Sequence, residues 1–227
     1  MQKEIFTFIF FLFRLHHQFF GAEHMTEITD LIRNLESTWA ANLGVAQGVR
    51  TFRKGAHGKR IIFHNSRKNG QVLMPCEGEL EYKYCLKLEF DNDVDAYFLQ
   101  PFTLKLSATK SYTPDVLVRF VSNDYNITEV KPLGEIERES VRETLRLAEG
   151  YIFAQGYSYS VITELDLQPD IEHVNRKTIY RASPVNIPFS TVAQVRSILG
   201  DKFEGNVSTA RKFLVEKGFD YNIVESL

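Results

Sequence analysis

The chain has few cysteines and almost no net charge. Its 227 residues include two cysteines, Cys76 and Cys85, without a C-x-x-C spacing or flanking histidines. This scarcity argues against a zinc site or a disulfide framework and favours a reducing cytoplasmic compartment. The formal net charge is −2, so a nucleic-acid partner does not follow from the total charge. Any DNA-binding surface must come from local clusters of Lys and Arg.

Motifs for nucleotide hydrolysis and for histidine chemistry are also missing. The sequence has no G-x-x-x-x-G-K-[ST] loop, so we expect no nucleotide hydrolysis by this chain. The six histidines form no spaced cluster, which gives a His-based metal or nucleophile site little support. Hydrophobic residues make up 44% of the chain. That is enough for one large domain, or for a catalytic domain with a small appendix.

The apolar run near the N-terminus, residues 5–13, is too short to span a bilayer, and no small-x-small cleavage site follows it. Met25 opens a more ordinary sequence. We therefore expect residues 1–24 to be an upstream over-extension of the reading frame, with no membrane role for the protein. A membrane-contacting or packed N-terminal helix is the alternative for this segment.

Hydrophobic periodicity predicts an α/β fold in which a mixed sheet is flanked by helices. Val116–Val118 is continuously apolar, as in a strand that is covered on both faces. Ser122–Asp124 is a turn signal between two strands. The predicted helices are residues 26–43, 77–90 and 135–155. The predicted strands are residues 94–106, 112–121, 125–131 and 157–163, with two short strands within residues 47–64 around a turn at 54–58.

The character of the sequence changes at about residue 184. Residues 191–199 and 207–216 have helical spacing, and residues 219–224 resemble a final strand. Two helices and a strand suit a small, mainly helical, winged-helix-like domain. We therefore predict a catalytic domain at residues 25–183 and a small C-terminal domain at residues 184–227.

Two acidic residues and a lysine are predicted to meet at one end of the sheet. Side chains alternate along a strand, so Glu129 and Lys131 project to the same side. Asp115 lies near the start of the preceding strand, which a tight turn joins to the next. If the two strands pair antiparallel, Asp115 lies opposite the end of the strand that carries Glu129 and Lys131.

This combination of side chains suits phosphodiester hydrolysis. Carboxylate oxygens are the ligands that Mg²⁺ prefers, usually one or two of them with waters and phosphate oxygens. A lysine beside them can orient water or stabilise charge in the transition state. The alternative is structural: Asp115 caps a strand, and Glu129 and Lys131 form a solvated pair on one face.

An ordered set of short motifs resembles a known family. These motifs are Glu79-Leu80-Glu81-Tyr82, Leu88-Glu89-Phe90-Asp91, Gln100-Pro101-Phe102, Tyr112-Thr113-Pro114-Asp115 and Ile127-Thr128-Glu129-Val130-Lys131-Pro132. Over roughly residues 45–165 they are similar to the N-terminal endonuclease domain of TnsA. TnsA cuts the non-transferred strand in heteromeric transposases and has a restriction-endonuclease-like PD-(D/E)xK fold.

The resemblance implies a role for each matched residue. Glu81 corresponds to the helix carboxylate, Asp115 to the central metal ligand, Glu129 to the second acidic ligand and Lys131 to the catalytic lysine. The implied metal set is Asp115, Glu129 and Glu81, with Mg²⁺ as the cofactor and Mn²⁺ able to substitute. Some members of the family have Gln at the position of Glu129. Glu79 is a competitor of Glu81 for the helix position, and Glu77 is a weaker one.

A basic segment without acidic residues lies upstream of these motifs and is a candidate for DNA contact through phosphates. An ordinary basic loop is the competing interpretation. Its predicted DNA-binding residues are Arg50, Arg53, Lys54, Lys59, Arg60, Arg67 and Lys68.

The resemblance implies an endonuclease that cuts the 5′ strand at transposon ends during cut-and-paste transposition. It also implies a TnsB-like DDE transposase and a TnsC-like ATPase regulator as partners. Two alternatives remain open at this point. One is a stand-alone restriction or repair nuclease on the same fold, and the other is a non-catalytic DNA-binding assembly subunit.

Overall fold

The computed structural model describes residues 27–41, 48–49, 60–167, 170–182, 189–200, 205–221 and 223–226. The chain forms two compact units, the first ending at residue 168 and the second beginning at residue 169. Several predictions lie outside the described residues: the extension at residues 1–24, the turn at 54–58, and Arg50, Arg53, Lys54 and Lys59.

The first unit contains four helices and eight strands among its described residues. The helices are α1 (Ile28–Ala41), α2 (Glu79–Glu89), α3 (Leu133–Ile136) and α4 (Glu139–Ala154). The strands are β1 (Ile62–Ser66), β2 (Val72–Cys76), β3 (Val94–Leu99), β4 (Leu104–Lys105), β5 (Ser111–Tyr112), β6 (Val116–Phe120), β7 (Tyr125–Val130) and β8 (Ser158–Ile162).

A four-stranded mixed sheet in the order β3-β6-β7-β8 forms the centre of this unit. β6 pairs antiparallel with β3 and β7, whereas β8 pairs parallel with β7. A parallel neighbour requires a crossover connection, which α3 and α4 supply between β7 and β8. Two antiparallel ribbons, β1-β2 and β4-β5, complete the unit. The predicted mixed α/β arrangement is therefore confirmed.

Both faces of the central sheet are covered. On one face, Leu117 and Ile127 join a buried cluster with Ile28 of α1 and Ile152 of α4. On the other face, Tyr84 of α2 reaches Thr128, with 3.4 Å between the two hydroxyl oxygens. Burial on both faces explains why Val116, Leu117 and Val118 form an unbroken apolar run.

Two predicted strands are shorter than expected. The stretch 94–106 leaves the sheet after Leu99, because Gln100 has a φ of 44° and Pro101 follows it. The stretch 112–121 likewise enters the sheet only at Val116. The residues between these points form the separate β4-β5 ribbon. β2, which pairs with β1, was not predicted.

The second unit is helical. It contains α5 (Asp170–Ala182), α6 (Phe189–Leu199), α7 (Val207–Glu216) and a 3₁₀ helix, Ile223–Ser226. α5 contacts the 3₁₀ helix, so the compact units divide before α5, earlier than the domain boundary predicted at residue 184. That boundary stays a prediction, as does the winged-helix-like assignment.

The predicted final strand at residues 219–224 is wrong. Gly218 has a φ of 86° after the end of α7, and the Phe219 N–H donates to the Leu214 carbonyl at 3.0 Å. This is a helix-terminating Schellman-type turn. Phe219 and Val224 pack against the buried cluster of Val195, Leu214 and Ile223. The apolar side chains that suggested a strand therefore pack against the helices of this unit.

In the part of the chain that the structure describes, no helix has the length and apolar character needed to cross a membrane.

Candidate active site

The β6-β7 hairpin brings the predicted catalytic residues together. Its antiparallel register pairs Val116 with Thr128, so Asp115, one residue earlier, lies opposite Glu129. Lys131 directly follows the last residue of β7. The Ser122–Asp124 turn lies at the other end of the hairpin, as predicted. Asp115, Glu129 and Lys131 therefore meet at one end of the sheet.

The Lys131 ammonium contacts both carboxylates. Its Nζ lies 2.7 Å from Glu129 Oε1 and 3.4 Å from Asp115 Oδ2. The same Asp115 oxygen accepts a hydrogen bond of 2.9 Å from the Val130 backbone N–H. The side chains of Asp115 and Glu129 are 2% and 5% exposed, whereas that of Lys131 is 26% exposed. Two buried carboxylates thus share one partly accessible cation, so the solvated-pair alternative does not describe Glu129 and Lys131.

The second oxygen of Glu129 is held by a tyrosine. The Tyr112 hydroxyl donates to Glu129 Oε2 at 2.7 Å and lies 3.0 Å from the Tyr159 hydroxyl. Burial, together with the charge of Glu129, raises the pKa of Tyr112 well above its ordinary value. The Tyr112 hydroxyl therefore keeps its proton and remains a donor. Its motif, Tyr112-Thr113-Pro114-Asp115, was noticed in the sequence, but this contact was not predicted.

The pKa values of Glu129 and Lys131 are shifted by burial and by the neighbouring charges. Burial and then repulsion from Asp115 raise the pKa of Glu129 above 4.5, although Lys131 and Tyr112 act in the opposite direction. Burial alone would lower the pKa of Lys131, but Asp115 and Glu129 raise it above its ordinary value. The lysine is therefore charged at neutral pH, and the carboxylates are held close together in spite of their repulsion.

Glu81 belongs to the same electrostatic environment. Burial, followed by repulsion from Asp115, raises the pKa of Glu81 from 4.5 to about 7. Its Oε2 accepts a hydrogen bond of 2.7 Å from the Glu77 N–H. Glu79 is exposed on the same helix turn. The structure therefore brings Glu81 towards Asp115 and leaves Glu79 facing solvent. Glu77 lies beside Glu81 and acts as its hydrogen-bond donor.

The three carboxylates do not form a preformed metal cage. Within the described ranges, no three side chains of His, Cys, Asp or Glu are grouped closely enough to hold a metal ion. Mg²⁺, however, usually takes only one or two protein carboxylates and completes its shell with water and phosphate oxygens. Asp115 and Glu129, which share one ammonium, offer the hard oxygen donors that such a site needs. The donor set is therefore compatible with Mg²⁺.

An open pocket of about 430 Å³ adjoins Glu129 and Lys131 on the side of α4. Its lining combines the two charged residues with hydroxyl groups and a few apolar side chains. The other lining residues are Ser111, Tyr112, Thr113, Ser140, Val141, Thr144 and Leu145. The pocket gives the ammonium an open side from which a substrate can reach it.

The described part of the basic segment lies outside this cluster. Arg60 is exposed, as a phosphate contact requires. The Lys68 ammonium donates to the backbone carbonyls of Asp91 and Val94, a structural role that was not predicted. Arg67 contributes its backbone N–H to Glu89 Oε2 at 3.2 Å. DNA contact by Arg60, Arg67 and Lys68 stays a prediction.

A mixed sheet flanked by helices, with two buried carboxylates and a lysine at its end, fits a nuclease-like α/β fold. Comparison with known families makes this more specific, because residues 81–164 match the family described as TnsA-like endonuclease N terminal. This match supports a TnsA-like nuclease, and Glu81, Asp115, Glu129 and Lys131 all lie within the matched segment. No curated protein matches the chain.

Proposed function

We propose that this protein is a Mg²⁺-dependent DNA endonuclease that cuts the 5′, non-transferred strand at transposon ends. The observation that carries the proposal is the contact of Lys131 with both Asp115 and Glu129, inside the segment that matches the TnsA-like family. A strand with no catalytic role would not bury two carboxylates at the same sheet end, because their repulsion and desolvation are unfavourable.

Asp115 and Glu129 are the residues that would hold Mg²⁺, and Glu81 would complete the set from α2. When bound, the metal would acidify a water molecule and neutralise charge on the scissile phosphate. Mn²⁺ offers the same preference for oxygen ligands and is expected to substitute.

The protein's own groups prepare the site before any cofactor binds. The Val130 N–H fixes Asp115, while Lys131 and Tyr112 each hold one oxygen of Glu129. Lys131 stays charged and faces the open pocket, where it can stabilise negative charge on a phosphate oxygen. Each carboxylate is thereby held in place by donors that do not depend on the metal.

DNA is expected to approach through the basic segment. The Val49 N–H donates to the Gln100 carbonyl at 3.0 Å, and the Gln100 N–H donates to the Asp115 carbonyl at 2.8 Å. The chain that leads into Arg50 therefore starts close to Asp115. Contacts through Arg and Lys would bind phosphates without reading the base sequence. A partner would then supply the choice of cleavage site.

We further propose a TnsB-like DDE transposase and a TnsC-like ATPase as partners, with the C-terminal helical unit as a candidate contact for the ATPase. A plasmid that carries the element's ends, incubated with Mg²⁺ and with or without the transposase, tests this function. Strand-resolved mapping of the products, for wild type and Asp115→Asn, is the readout. Cuts in the 5′ strand that need Asp115 and the transposase support the proposal.

Other outcomes of this assay would replace the proposal. Cutting that needs no partner would indicate a stand-alone nuclease. If the folded wild-type protein, with all partners present, binds the ends but leaves them uncut, a non-catalytic assembly subunit becomes the better account.

A further inference from the structure

We propose that Gln100 is a positioning residue that holds Glu81 and Asp115 in a fixed arrangement. The inference rests on the proposed nuclease function and assigns a role to a side chain outside the predicted catalytic set. Gln100 lies between the end of β3 and the β4-β5 ribbon and is 2% exposed.

Two hydrogen bonds hold the backbone of Gln100 in place. Its N–H donates to the Asp115 carbonyl at 2.8 Å, and its own carbonyl accepts from the Val49 N–H at 3.0 Å. A Cβ added at Gly48 would lie 2.6 Å from Gln100 Cβ and 2.8 Å from the Leu99 carbonyl oxygen. Only glycine fits this approach without a shift. The φ of 44° at Gln100 is unfavourable for a residue with a side chain, and such conformations cluster at functional sites.

The side chain of Gln100 extends towards Glu77, which is hydrogen-bonded to Glu81. Its Nε2 donates to Glu77 Oε1 at 3.0 Å, and the Glu77 N–H donates to Glu81 Oε2 at 2.7 Å. The backbone of Gln100 is therefore hydrogen-bonded to Asp115, and its side chain is linked to Glu81 by way of Glu77. Asp115 directly precedes β6, whereas Glu81 lies in the first turn of α2, and this path of hydrogen bonds connects the two acids.

A purely structural role would favour a different side chain at this position. Gln100 Oε1 is buried and makes no hydrogen bond with any described residue. A buried polar atom without a partner is destabilising, and an apolar residue such as Leu would avoid that penalty. Retaining an amide here is therefore expected only where the amide has a role, in this case as the donor to Glu77.

A pair of leucine substitutions tests whether this role is specific to Gln100. Gln100→Leu removes the donor to Glu77. Gln155→Leu is the matched control, because Gln155 also uses its side-chain amide in a partly buried hydrogen bond, in which its Oε1 accepts from the Ile28 N–H at 2.7 Å. We expect Gln100→Leu to slow Mg²⁺-dependent cleavage by about 10–100-fold and to speed hydrogen exchange of the Glu77 amide. The control should change neither quantity beyond its effect on the folded fraction.

A swap of the hydrogen-bonding groups tests the path through Glu77. Gln100→Glu alone places two carboxylates in contact and should impair cleavage as Gln100→Leu does. The double variant Gln100→Glu with Glu77→Gln restores an amide-to-carboxylate bond in the reverse direction and should recover most of the lost rate. Loss without recovery, or full activity of Gln100→Leu with unchanged Glu77 exchange, would overturn the inference. If the wild type itself does not cut, the proposed function fails, while the Glu77 exchange comparison still decides the role of Gln100.

Discussion

Two of the three glutamates of helix α2, Glu81 near its start and Glu89 at its end, have pKa values that are shifted in opposite directions. Glu89 is deeply buried, with a side chain that is 3% exposed, and its pKa nevertheless lies below 4.5. Glu81 is partly buried, and its pKa is raised to about 7. The residue type and the helix are the same, so the difference must come from the neighbours of each carboxylate.

Glu89 is surrounded by donors. Burial alone would raise its pKa, but hydrogen bonds from His64, Ser66 and Tyr97 outweigh that effect. The Ser66 and Tyr97 hydroxyls each donate to Glu89 Oε1 at 2.6 Å. The Tyr97 hydroxyl has only one proton, so His64 Nε2 must be the donor in its 2.7 Å contact with that hydroxyl. Through these hydrogen bonds the Glu89 carboxylate links the β1-β2 ribbon and β3 to α2.

Glu81 and Glu129 have acidic neighbours instead. Repulsion from Asp115 adds to burial at both residues and raises both pKa values. The raised pKa values mean that the charged forms of Glu81 and Glu129 are disfavoured in the folded protein relative to water. The comparison shows that a buried carboxylate surrounded by donors keeps a low pKa, whereas a buried carboxylate beside another acid has a raised pKa. It also leads to predictions in which similar substitutions have different signs.

Lys131→Met should have the largest effect on stability. Without the ammonium, the Asp115 and Glu129 carboxylates face each other uncompensated, and we expect a loss of about 3–4 kcal/mol at pH 8. Added Mg²⁺ should restore part of the loss. Urea unfolding with and without Mg²⁺ measures both effects. Lys87→Met is the control, because the Lys87 ammonium donates to the Asp166 carbonyl in an exposed position. Equal unfolding curves for the two variants would contradict the account.

Glu81→Gln should stabilise the protein at pH 8 by about 2–3 kcal/mol, since the pKa of Glu81 is raised from 4.5 to about 7. A raised pKa means that the folded state binds the proton more tightly. The contribution of Glu81 to wild-type stability is therefore fully present below pH 4.5 and is lost as the pH rises through about 7. The glutamine oxygen can still accept from the Glu77 N–H. Thermal unfolding at pH 4.5 and pH 8 should show a gain only at the higher pH.

Glu89→Gln should have the opposite sign and cost about 2 kcal/mol at neutral pH. The added NH₂ group meets the Arg67 N–H, which now donates to Glu89 Oε2. A lowered pKa means that this contribution is present above pH 4.5 and is lost as the pH falls through the folded value. Unfolding curves across this range test the prediction. A gain in stability at pH 8, like that expected of Glu81→Gln, would remove the distinction between the two glutamates.

Tyr112→Phe should have the smallest effect, a loss of about 1 kcal/mol, because one buried hydrogen bond to Glu129 disappears. Tyr157→Phe is the control, since the Tyr157 hydroxyl contacts Thr29 in an exposed position. Chemical denaturation of the two variants gives the comparison. If Tyr157→Phe is the more destabilising, the Tyr112 contact does not support Glu129.

The β6-β7 hairpin, which carries the candidate site, could be predicted because short-range sequence patterns specify its strands and its turn. The apolar run Val116–Val118, the Ser122–Asp124 turn and the alternation of Glu129 and Lys131 together specify an antiparallel pair with its polar residues at one end. The resemblance gave the helix position to Glu81 because of its distance from Leu88-Glu89-Phe90, with Glu79 as the competitor, and this assignment stays a prediction. Both residues lie in the first turn of α2, and packing of the helix against the sheet leaves Glu79 exposed.

Features that depend on distant contacts were missed. The links from Tyr112 to Glu129 and from Gln100 to Glu77 arise because the chain leaves the sheet after Leu99 and returns at Val116. Helix α5 was not predicted either. Its sequence contains few apolar residues, and two of them, Ile171 and Val174, are 63% and 53% exposed.

The most direct test compares Mg²⁺-dependent cleavage by wild type, Asp115→Asn and Glu89→Gln, each corrected for its folded fraction. The account predicts that Asp115→Asn stays folded and loses activity by at least about a hundredfold. It also predicts that Glu89→Gln cuts at the wild-type rate per folded molecule. Normal cleavage by Asp115→Asn, or an equal loss in both variants, would contradict the assignment of the active site to the end of the β6-β7 hairpin.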